Sequence, residues 1–398
     1  MTETQPANHT AAVVGTGFIG PVHVEGLHRA GIHVAGILGS TPEKSQAAAA
    51  DLGLPRGYGS FGDVLADETV DCIHLTTPNR FHFEQAKAVL QAGKHVVCEK
   101  PLAMNSDESA ELVRLANASG KAAAVAHNIR FYPLCHEAAA RAQNGKLGDF
   151  LHVHGSYVQD WLLRDTDFNW RVVAEDGGEL RAIADIGTHW LDLIQFITGQ
   201  KVASVCADLR TVHSKRQQPI GGSETFSGTG NSSQKTTPVD ISTEDCGSVM
   251  LRFENGANGS LWVSQTTAGR KNSLQFEIAG ADGSMAWNSE SPNALWIGNR
   301  DEPNQSLIRD AALMSTSAAG ITSYPGGHNE GFPDTWKQFF RTFYSQLDDV
   351  AAPPRYPTFA DGHQEILLCE AILRSHRERC WVDVPGHQSP DTNRSTQP

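Results

Sequence analysis

The amino-acid sequence predicts an α/β protein with two domains, a doubly wound parallel sheet followed by a region of antiparallel strands. Three observations support this prediction. In the first third of the chain, short apolar strands alternate with helical stretches, which is typical of a parallel sheet. In the second half, strand-like runs are joined by short turns, which indicates an antiparallel arrangement. The chain has 398 residues, which is too long for one ordinary core.

The first strand leads directly into a glycine-rich turn. Residues 10–14 are apolar, a helical stretch covers 21–30, and a second strand covers 32–38. A Gly-x-Gly-x-x-Gly turn in this context binds a dinucleotide, because the helix N-terminus presents N–H groups to the phosphates. An ordinary glycine-rich turn is the alternative. The predicted cofactor-binding residues here are Gly15, Gly17, Phe18, Ile19 and Gly20.

The end of the second strand bears on the choice of cofactor. About 20 residues after the glycine turn, NAD enzymes usually carry an acid that binds the ribose hydroxyls. That acid is absent, and Ser40, Thr41 and Lys44 stand where they can hydrogen-bond a 2′-phosphate. The sequence therefore favours NADP over NAD, and a loop that accepts either cofactor is the alternative.

The next strands end in polar motifs. Further strands are predicted at 70–75, 95–98 and 122–126, and helical segments at 46–52, 64–66, 83–92 and 106–119. Ligands of open α/β sheets bind at the carboxyl ends of the strands. One such end carries the motif Thr77-Pro78-Asn79-x-x-His82, and the next carries Glu99-Lys100-Pro101. Because Pro101 favours an extended Lys100, we expect the lysine to point into the crevice. An ordinary surface lysine is the alternative.

An acid and a histidine lie four residues apart in a predicted helix near the middle of the chain. Asp185 and His189 would project from the same helix face. A carboxylate beside an imidazole can move a proton near neutral pH, because it orients the ring and stabilises its charged form. A chance pair on a surface helix is the alternative.

The glycine turn, Thr77-Pro78-Asn79-x-x-His82, Glu99-Lys100-Pro101 and Asp185-x-x-x-His189 together resemble the Gfo/Idh/MocA oxidoreductase family over nearly the whole chain. The resemblance implies a Rossmann domain over 10–130 and, over 131–398, an α/β domain with a large open, mostly antiparallel sheet. It also implies NAD or NADP as the cofactor. The implied reaction interconverts a secondary alcohol and a ketone on a sugar, inositol or glycoside.

The resemblance also implies residue roles. Lys100 would be the active-site lysine, Asp185 the carboxylate and His189 the acid/base. Further cofactor contacts would be Thr77, Pro78, Asn79, His82, Glu99, Lys100, Asn128, Trp170 and Arg171. Substrate contacts would be Lys100, Tyr157, Asp160, Trp161, Asp185, His189 and His328.

The second half of the chain alternates strands, helices and one long polar stretch. Strands are predicted at 150–158 and 201–210, then as an antiparallel meander at 247–253, 258–265, 274–279 and 284–288, with helices at 331–346 and 361–379. Residues 211–240 are polar and predicted to be a mobile loop of unknown role. A wide sheet with one open face favours cover by a second subunit, so we expect a homodimer or homotetramer.

Composition excludes several classes of partner. The net charge of −13 argues against nucleic acid and anionic lipid, and no apolar run is long enough for a membrane span. Residues 1–9 are predicted to be a flexible tail without a signal peptide. The seven cysteines are scattered, as in a reduced cytoplasmic protein. His152 and His154 share a strand face but lack a third ligand, so no metal site is predicted.

Two other functional classes remain open. One is an NAD-dependent glycosidase that oxidises its substrate transiently, as some relatives of this family do. The other is a non-catalytic dinucleotide sensor that regulates a partner protein. The presence of Lys100, Asp185 and His189 together favours an enzyme. The partner expected on all these grounds is a small carbohydrate or polyol.

Overall fold

The N-terminal part of the chain forms a five-stranded parallel sheet. The structure is a computed structural model that describes residues 9–220 and 235–387. The strands are β1 Thr10–Val14, β2 His33–Leu38, β3 Cys72–Leu75, β4 His95–Cys98 and β5 Ala123–Val125. Their order is β2-β1-β3-β4-β5, and every neighbouring pair is parallel. The predicted tail falls almost wholly outside the described residues, of which His9 is the first.

Helices cover both faces of this sheet. They are α1 Ile19–Ala30, α2 Pro42–Asp51, α3 Phe61–Ala66, α4 His82–Gln91 and α5 Ser106–Ser119. Alternate residues of β1 enter different hydrophobic clusters, Ala11 and Val13 on one face and Ala12 and Val14 on the other. Because successive side chains of a strand point to opposite faces, this alternation places a core on each side. The predicted doubly wound sheet is confirmed.

The second half of the chain forms a nine-stranded mixed sheet. Its strands are β6 Phe150–Val158, β7 Val202–Arg210, β10 Cys246–Phe253, β11 Asn258–Ser264, β12 Ser273–Gly280, β13 Ser284–Asn288, β14 Ala294–Gly298, β15 Gln305–Ile308 and β16 Val382–Asp383. The order is β15-β14-β13-β12-β6-β11-β10-β7-β16, and only the β6–β11 pair is parallel. The predicted large, mostly antiparallel sheet is confirmed.

The predicted meander is wrong at one point. β11 and β12 follow each other in sequence but are not neighbours, because β6 lies between them. The turn residues between the two strands gave no sign of this. The insertion is a non-local pairing, made by a strand about a hundred residues earlier in the chain, and local turn signals do not report such pairings.

The predicted mobile loop at 211–240 is also wrong at its two ends. β8 Lys215–Pro219 and β9 Thr236–Asp240 pair as an antiparallel hairpin. Its strands are polar, so the alternation that marks a half-buried strand is missing from the sequence. Residues 221–234 lie outside the described residues.

The remaining helices include two from the C-terminal part that pack on the parallel sheet. The helices are α6 Pro133–Gln143, α7 Ala174–Gly177, α8 Thr188–Thr198, α9 Thr316–Gly320, α10 Phe332–Tyr344 and α11 Phe359–Glu378. Trp336, Phe339 and Phe340 of α10 share a hydrophobic cluster with Val24 and Leu27 of α1. Phe359 of α11 joins the cluster on the other face. None of the helices in the described ranges has the length and hydrophobicity to cross a bilayer.

Candidate active site

The glycine turn leaves an open cradle at the N-terminus of α1. Gly15 has a φ of 121°, in the region that favours glycine, and a Cβ there would lie 2.4 Å from the Thr76 hydroxyl. A Cβ on Gly20 would lie 2.1 Å from the Gly15 carbonyl oxygen. A Cβ on Gly17 would meet nothing within 4 Å, and Phe18 places no side-chain cap on the helix. The backbone therefore fits a dinucleotide pyrophosphate at a helix N-terminus.

The end of β2 presents the three polar residues predicted to face the adenosine ribose. Ser40, Thr41 and Lys44 are all exposed. The Thr41 hydroxyl caps α2 by accepting a hydrogen bond from the Lys44 N–H at 3.3 Å. Ser40 and Lys44 are exposed beside this helix N-terminus, and so is Glu43, whose carboxylate accepts a hydrogen bond from Thr41.

The motif that follows β3 is held by protein groups. The two ring nitrogens of His82 lie 2.8 Å from the carbonyl oxygens of Pro101 and Thr77. The Asn79 side-chain amide donates to the Gly177 carbonyl oxygen at 2.8 Å, and the Thr77 hydroxyl donates to Gln85 at 2.6 Å. These side chains therefore fix the loops next to Pro78 and Lys100, and Thr77 and Pro78 remain partly exposed at the strand ends.

Glu99 ends a buried chain of hydrogen bonds that sequence reasoning missed. The chain runs from Tyr344 to His74 (3.0 Å), from His74 to His23 (3.0 Å) and from His23 to Glu99 (3.1 Å). Burial opposes ionisation of Glu99, but the hydrogen bond from His23 and the nearby charge of Lys100 hold its pKa below the ordinary value. With Glu99 ionised, each group in turn donates toward the carboxylate, from the Tyr344 hydroxyl onward.

Lys100 joins the two halves of the chain at Asp185. The Lys100–Pro101 peptide bond is cis. The Lys100 ammonium donates to the Asp185 carboxylate at 2.8 Å and to the Asp185 carbonyl oxygen at 2.7 Å. Gln265 donates to the other carboxylate oxygen at 2.8 Å, and Arg171 Nε lies 3.5 Å from the first. Burial alone would raise the pKa of Asp185, but Lys100 and Arg171 lower it well below its ordinary range, so the carboxylate is ionised.

The sequence predicted that Asp185 and His189 lie in one regular α-helix, and this prediction is wrong. A wide π turn, Ile183–Gly187, carries Asp185, and α8 begins at Thr188. Among the described residues, no hydrogen-bond partner reaches the buried Nδ1 of His189, so the predicted orienting contact from Asp185 is not made. Both carboxylate oxygens of Asp185 are taken by Lys100 and Gln265. Insertion of a π turn changes the angle between successive side chains, which residue spacing alone does not reveal.

His189 is a buried, neutral imidazole. Burial lowers its pKa well below the ordinary value of 6.5, Lys100 and His127 lower it further, and Asp185 opposes them. The rings of His127 and Tyr157 lie 5.5 Å and 6.3 Å from the His189 ring. A neutral imidazole has a free lone pair that can accept a proton, and the Asp185 carboxylate offsets part of the charge that the ring would then carry.

The aromatic segment predicted to bind substrate lies beside this group. Arg171 stacks on the rings of Trp170 and Trp161, at 4.5 Å and 5.8 Å from their centroids. The Tyr157 hydroxyl donates to Asn272 at 2.7 Å. The structure thus brings Tyr157, Trp161 and Arg171 to the side of Asp185 and His189.

Three predicted residues have other partners. Asp160 pairs with Lys271 at 2.7 Å. The Asn128 side-chain amide donates to the Thr335 hydroxyl at 2.8 Å. His328 is exposed, and its described hydrogen bonds are made by its backbone, with Pro325 and Arg309. None of these described contacts joins the residue to Lys100 or Asp185.

Sequence reasoning missed His23, His127 and Gln265 at this site. His23 follows Gly20 by three residues on the buried face of α1, and this position was a usable signal for a polar contact inside the domain. His127 directly precedes Asn128, but nothing in its neighbours marks its contact with His189. Gln265 follows a strand whose sequence is typical of an ordinary core strand, so only the fold reveals its contact with Asp185.

Comparison with known proteins places the chain in a class. Residues 9–127 match the family model described as the oxidoreductase family with an NAD-binding Rossmann fold, Gfo/Idh/MocA. Residues 135–286 match the Gfo/Idh/MocA C-terminal domain. The chain belongs to the Gfo/Idh/MocA family and is an oxidoreductase with a nicotinamide dinucleotide cofactor, as the sequence predicted.

Several relatives carry a specific name. Levoglucosan dehydrogenase of Pseudarthrobacter phenanthrenivorans is 29% identical over 87% of this chain and 88% of its own length. The structure of levoglucosan dehydrogenase in complex with NADH and levoglucosan superposes with a TM-score of 0.85 at 27% identity, covering 95% of this chain and 100% of that chain. D-xylose 1-dehydrogenase (NADP(+)) 2 of Haloferax volcanii is 34% identical over 50% of this chain and 60% of its own length.

Proposed function

We propose that this protein interconverts a secondary alcohol and a ketone on a sugar, inositol or glycoside, with NAD or NADP as the cofactor. The observation that carries the proposal is the 2.8 Å contact between Lys100 and Asp185. It joins a strand end of the dinucleotide-binding domain to the π turn that precedes His189. The names of the relatives, levoglucosan dehydrogenase and D-xylose 1-dehydrogenase, support this substrate class.

The proposed roles follow from charge and protonation. When bound, the nicotinamide accepts or supplies the hydride. His189, neutral and buried, takes the proton of the substrate hydroxyl. Lys100 donates a hydrogen bond to the reacting oxygen and favours its alkoxide character. Asp185 holds the Lys100 ammonium in place and offsets positive charge that develops on His189.

Unpartnered polar atoms support ligand binding at this position. Three atoms around Asp185 are buried and without a hydrogen-bond partner among the described residues: Nδ1 of His189, Nη1 of Arg171 and Oε1 of Gln265. Buried polar groups are normally paired, so such a group of atoms calls for a ligand or ordered water. A polyhydroxylated substrate offers both donors and acceptors to such atoms, and the faces of Trp161 and Tyr157 suit the apolar face of a sugar ring.

The remaining predicted contacts complete the proposal. The glycine turn Gly15–Gly20 would hold the pyrophosphate, and Ser40, Thr41 and Lys44 would meet the adenosine ribose. Asp160 and His328 would contact the substrate at the edge of the crevice. The exposed Lys44 suits a 2′-phosphate, and the exposed carboxylate of Glu43 beside Thr41 suits free ribose hydroxyls, so both NADP and NAD are expected to bind.

One experiment tests the function and separates the alternatives. A panel of sugars, inositols and glycosides is incubated with NAD and, separately, with NADP. Absorbance of the reduced nicotinamide and release of free sugar are both followed. The proposal expects reduced cofactor to form in step with a ketone product. Sugar release without net reduction would indicate a glycosidase, and cofactor binding without any turnover would indicate a sensor.

The depressed pKa of His189 predicts the pH profile of alcohol oxidation. Because burial, Lys100 and His127 lower the pKa well below 6.5, the imidazole stays deprotonated through the pH range in which an ordinary histidine gains its proton. The value of kcat/KM should therefore stay level as pH falls from about 7.5 to about 6.5, and decline only at lower pH. Initial rates at constant ionic strength would measure this, and an acid limb with a midpoint at or above 6.5 would contradict it.

We also propose that the open face of the nine-stranded sheet is covered by a second copy of the chain. Trp262 lies between the buried residues Leu261 and Val263, so its side chain points away from the core and is 44% exposed. Trp296 of β14 is 37% exposed. Large aromatic side chains on one solvent-facing sheet surface indicate an interaction surface.

Changing this surface should break the assembly. The double variant Trp262→Glu, Trp296→Glu is expected to elute with the mass of one chain, because two carboxylates would be buried without partners in the interface. Size-exclusion chromatography with light scattering measures the mass. Val350→Glu, at a position that is also 44% exposed but follows α10, is the control and should keep the wild-type mass. A monomeric wild-type protein would contradict the assembly proposal.

A further inference from the structure

The β8–β9 hairpin lies directly against the segment that carries the proposed substrate residues. Leu162 and Val172 form a small hydrophobic cluster with Ile241, the residue that follows β9. The Gln217 N–H of β8 donates to the Asp165 carbonyl oxygen at 2.8 Å. The hairpin therefore supports residues 160–171 from behind, in the region of Trp161 and Arg171.

Arg216 of β8 makes most of the hydrogen bonds that support this segment. Its buried guanidinium donates to the carbonyl oxygen of Leu162 at 2.9 Å. It also donates to the carbonyl oxygens of Arg164 at 2.6 Å and Asp167 at 2.9 Å. One rigid side chain thus fixes three carbonyl groups of one turn. A guanidinium is suited to this task because its donors are held in a fixed, planar arrangement.

The same guanidinium is tied to the catalytic carboxylate through Asp245. Arg216 donates to Asp245 Oδ1 at 2.6 Å, and Arg181 donates to the same oxygen. The Asp245 carbonyl oxygen accepts the Gln265 N–H at 2.9 Å. The Gln265 side chain in turn donates to Asp185 at 2.8 Å.

The neighbour of Asp245 supports the other side of the site. Glu244 accepts hydrogen bonds from the N–H groups of Arg181 and Ile183, at 2.9 Å and 2.8 Å, where the π turn begins. One buried polar cluster, formed by Arg181, Arg216, Glu244 and Asp245, therefore anchors both the turn that carries Asp185 and the segment that carries Trp161.

We propose that Arg216 is a positioning residue that makes the hairpin a determinant of substrate specificity. By fixing residues 162–167, it holds Trp161, and Arg171 that stacks on it, in place beside Asp185, and so shapes the wall of the proposed substrate site. The inference rests on the proposed function for its substrate class. It assigns a role to the polar stretch 211–240, to which the motifs of the sequence gave none.

Removal of Arg216 should leave the fold intact. Asp245 keeps the guanidinium of Arg181 and the N–H groups of Val212 and His213 as partners. The cluster would then hold one cation fewer, and Asp245 would keep a charged partner. The hydrogen bonds lost are therefore those to three carbonyl groups of the proposed substrate segment. Within the buried polar cluster, only Arg216 donates to these groups.

The test compares Arg216→Lys and Arg216→Met with the wild type. Arg114→Lys is the matched control, because Arg114 forms an exposed ion pair with Glu111 on α5. Hydrogen–deuterium exchange of residues 160–173, substrate KM, kcat and cofactor Kd are measured on the full chain. We expect faster exchange in this segment and a rise in substrate KM of roughly tenfold or more for both variants. The cofactor Kd should rise by less than the substrate KM, since the described hydrogen bonds of Arg216 do not reach the glycine turn, although Trp170 and Arg171 are expected to touch the cofactor.

The outcomes separate this inference from the proposed function. Unchanged exchange of residues 160–173 in both variants would overturn the positioning role. A fall in kcat together with weaker binding of both cofactor and substrate would also overturn the positioning role, because this pattern would indicate general unfolding. The exchange measurement needs no turnover, so it decides whether Arg216 fixes residues 160–173 even if none of the sugars is oxidised, whereas a change in substrate KM decides its role in specificity.

Discussion

Replacing His189 by alanine is expected to reduce kcat for alcohol oxidation by about 10²–10⁴-fold, because the proposed base for the substrate hydroxyl is lost. Cofactor Kd should change by less than about threefold, since the dinucleotide is expected to be held mainly by backbone at the glycine turn. Stopped-flow measurement of single turnovers and fluorescence titration of the cofactor separate the two quantities.

A matched control removes a second buried imidazole. His136 of α6 packs against Phe131 and Phe196, and its Nε2 is buried without a partner among the described residues. His136→Ala should lower thermal stability but leave kcat within a few-fold of the wild type. If His189→Ala and His136→Ala lost the same activity, the loss would come from disturbed packing, and the proposed role of His189 as the base would be wrong.

Replacing Lys100 by methionine is expected to lower kcat/KM by about 10²–10³-fold, the usual cost of losing one charged donor to a developing oxyanion. The same change leaves Asp185 without its 2.8 Å partner, so the melting temperature should fall as well. Adding Asp185→Asn removes the unpaired charge, and the double variant should regain stability without regaining activity. Steady-state kinetics and thermal unfolding of both variants measure this difference.

The alternative to be excluded is that Lys100 and Asp185 form an ordinary buried ion pair between the two halves of the chain. Lys94 provides the control, because its ammonium donates to the carbonyl oxygens of Asp67 and Val70 at 2.8 Å and 2.7 Å, away from the site. Lys94→Met should destabilise without a specific loss of turnover. Recovery of activity together with stability in the Lys100→Met, Asp185→Asn double variant would show that the pair is structural only.

The parallel sheet and its glycine turn were predictable because their signals are local. Gly15 favours glycine on account of its own φ, and Thr41 caps the helix that begins at the next residue. Such steric and capping constraints act within a few residues, so they are visible in the sequence. The Asp185 turn marks the limit, because the sequence indicated a helix but not the π turn within it.

Contacts between distant residues were decided by the tertiary structure. Lys100 and Asp185 lie 85 residues apart, and the spacing of four from Asp185 to His189 did not lead to a hydrogen bond between them. The strand β6 separates β11 from β12, although the turn signals suggested one continuous meander. In each case the partner that a strand or side chain finds in the fold is far away in sequence. Local residue spacing carries no information about such distant partners.

The sequence by itself determined the class of this protein: a dinucleotide turn, a lysine after a strand, and an acid and a histidine in one helical region, in an order typical of one oxidoreductase family. The tertiary structure decided how these groups meet. In the folded chain the Asp185 carboxylate pairs with Lys100 and Gln265 instead of His189, and Arg216, from a stretch predicted to be a loop, supports the segment proposed to bind substrate. The reason is physical, because conformation and capping are local properties, whereas burial and charge pairing depend on what the whole fold brings together.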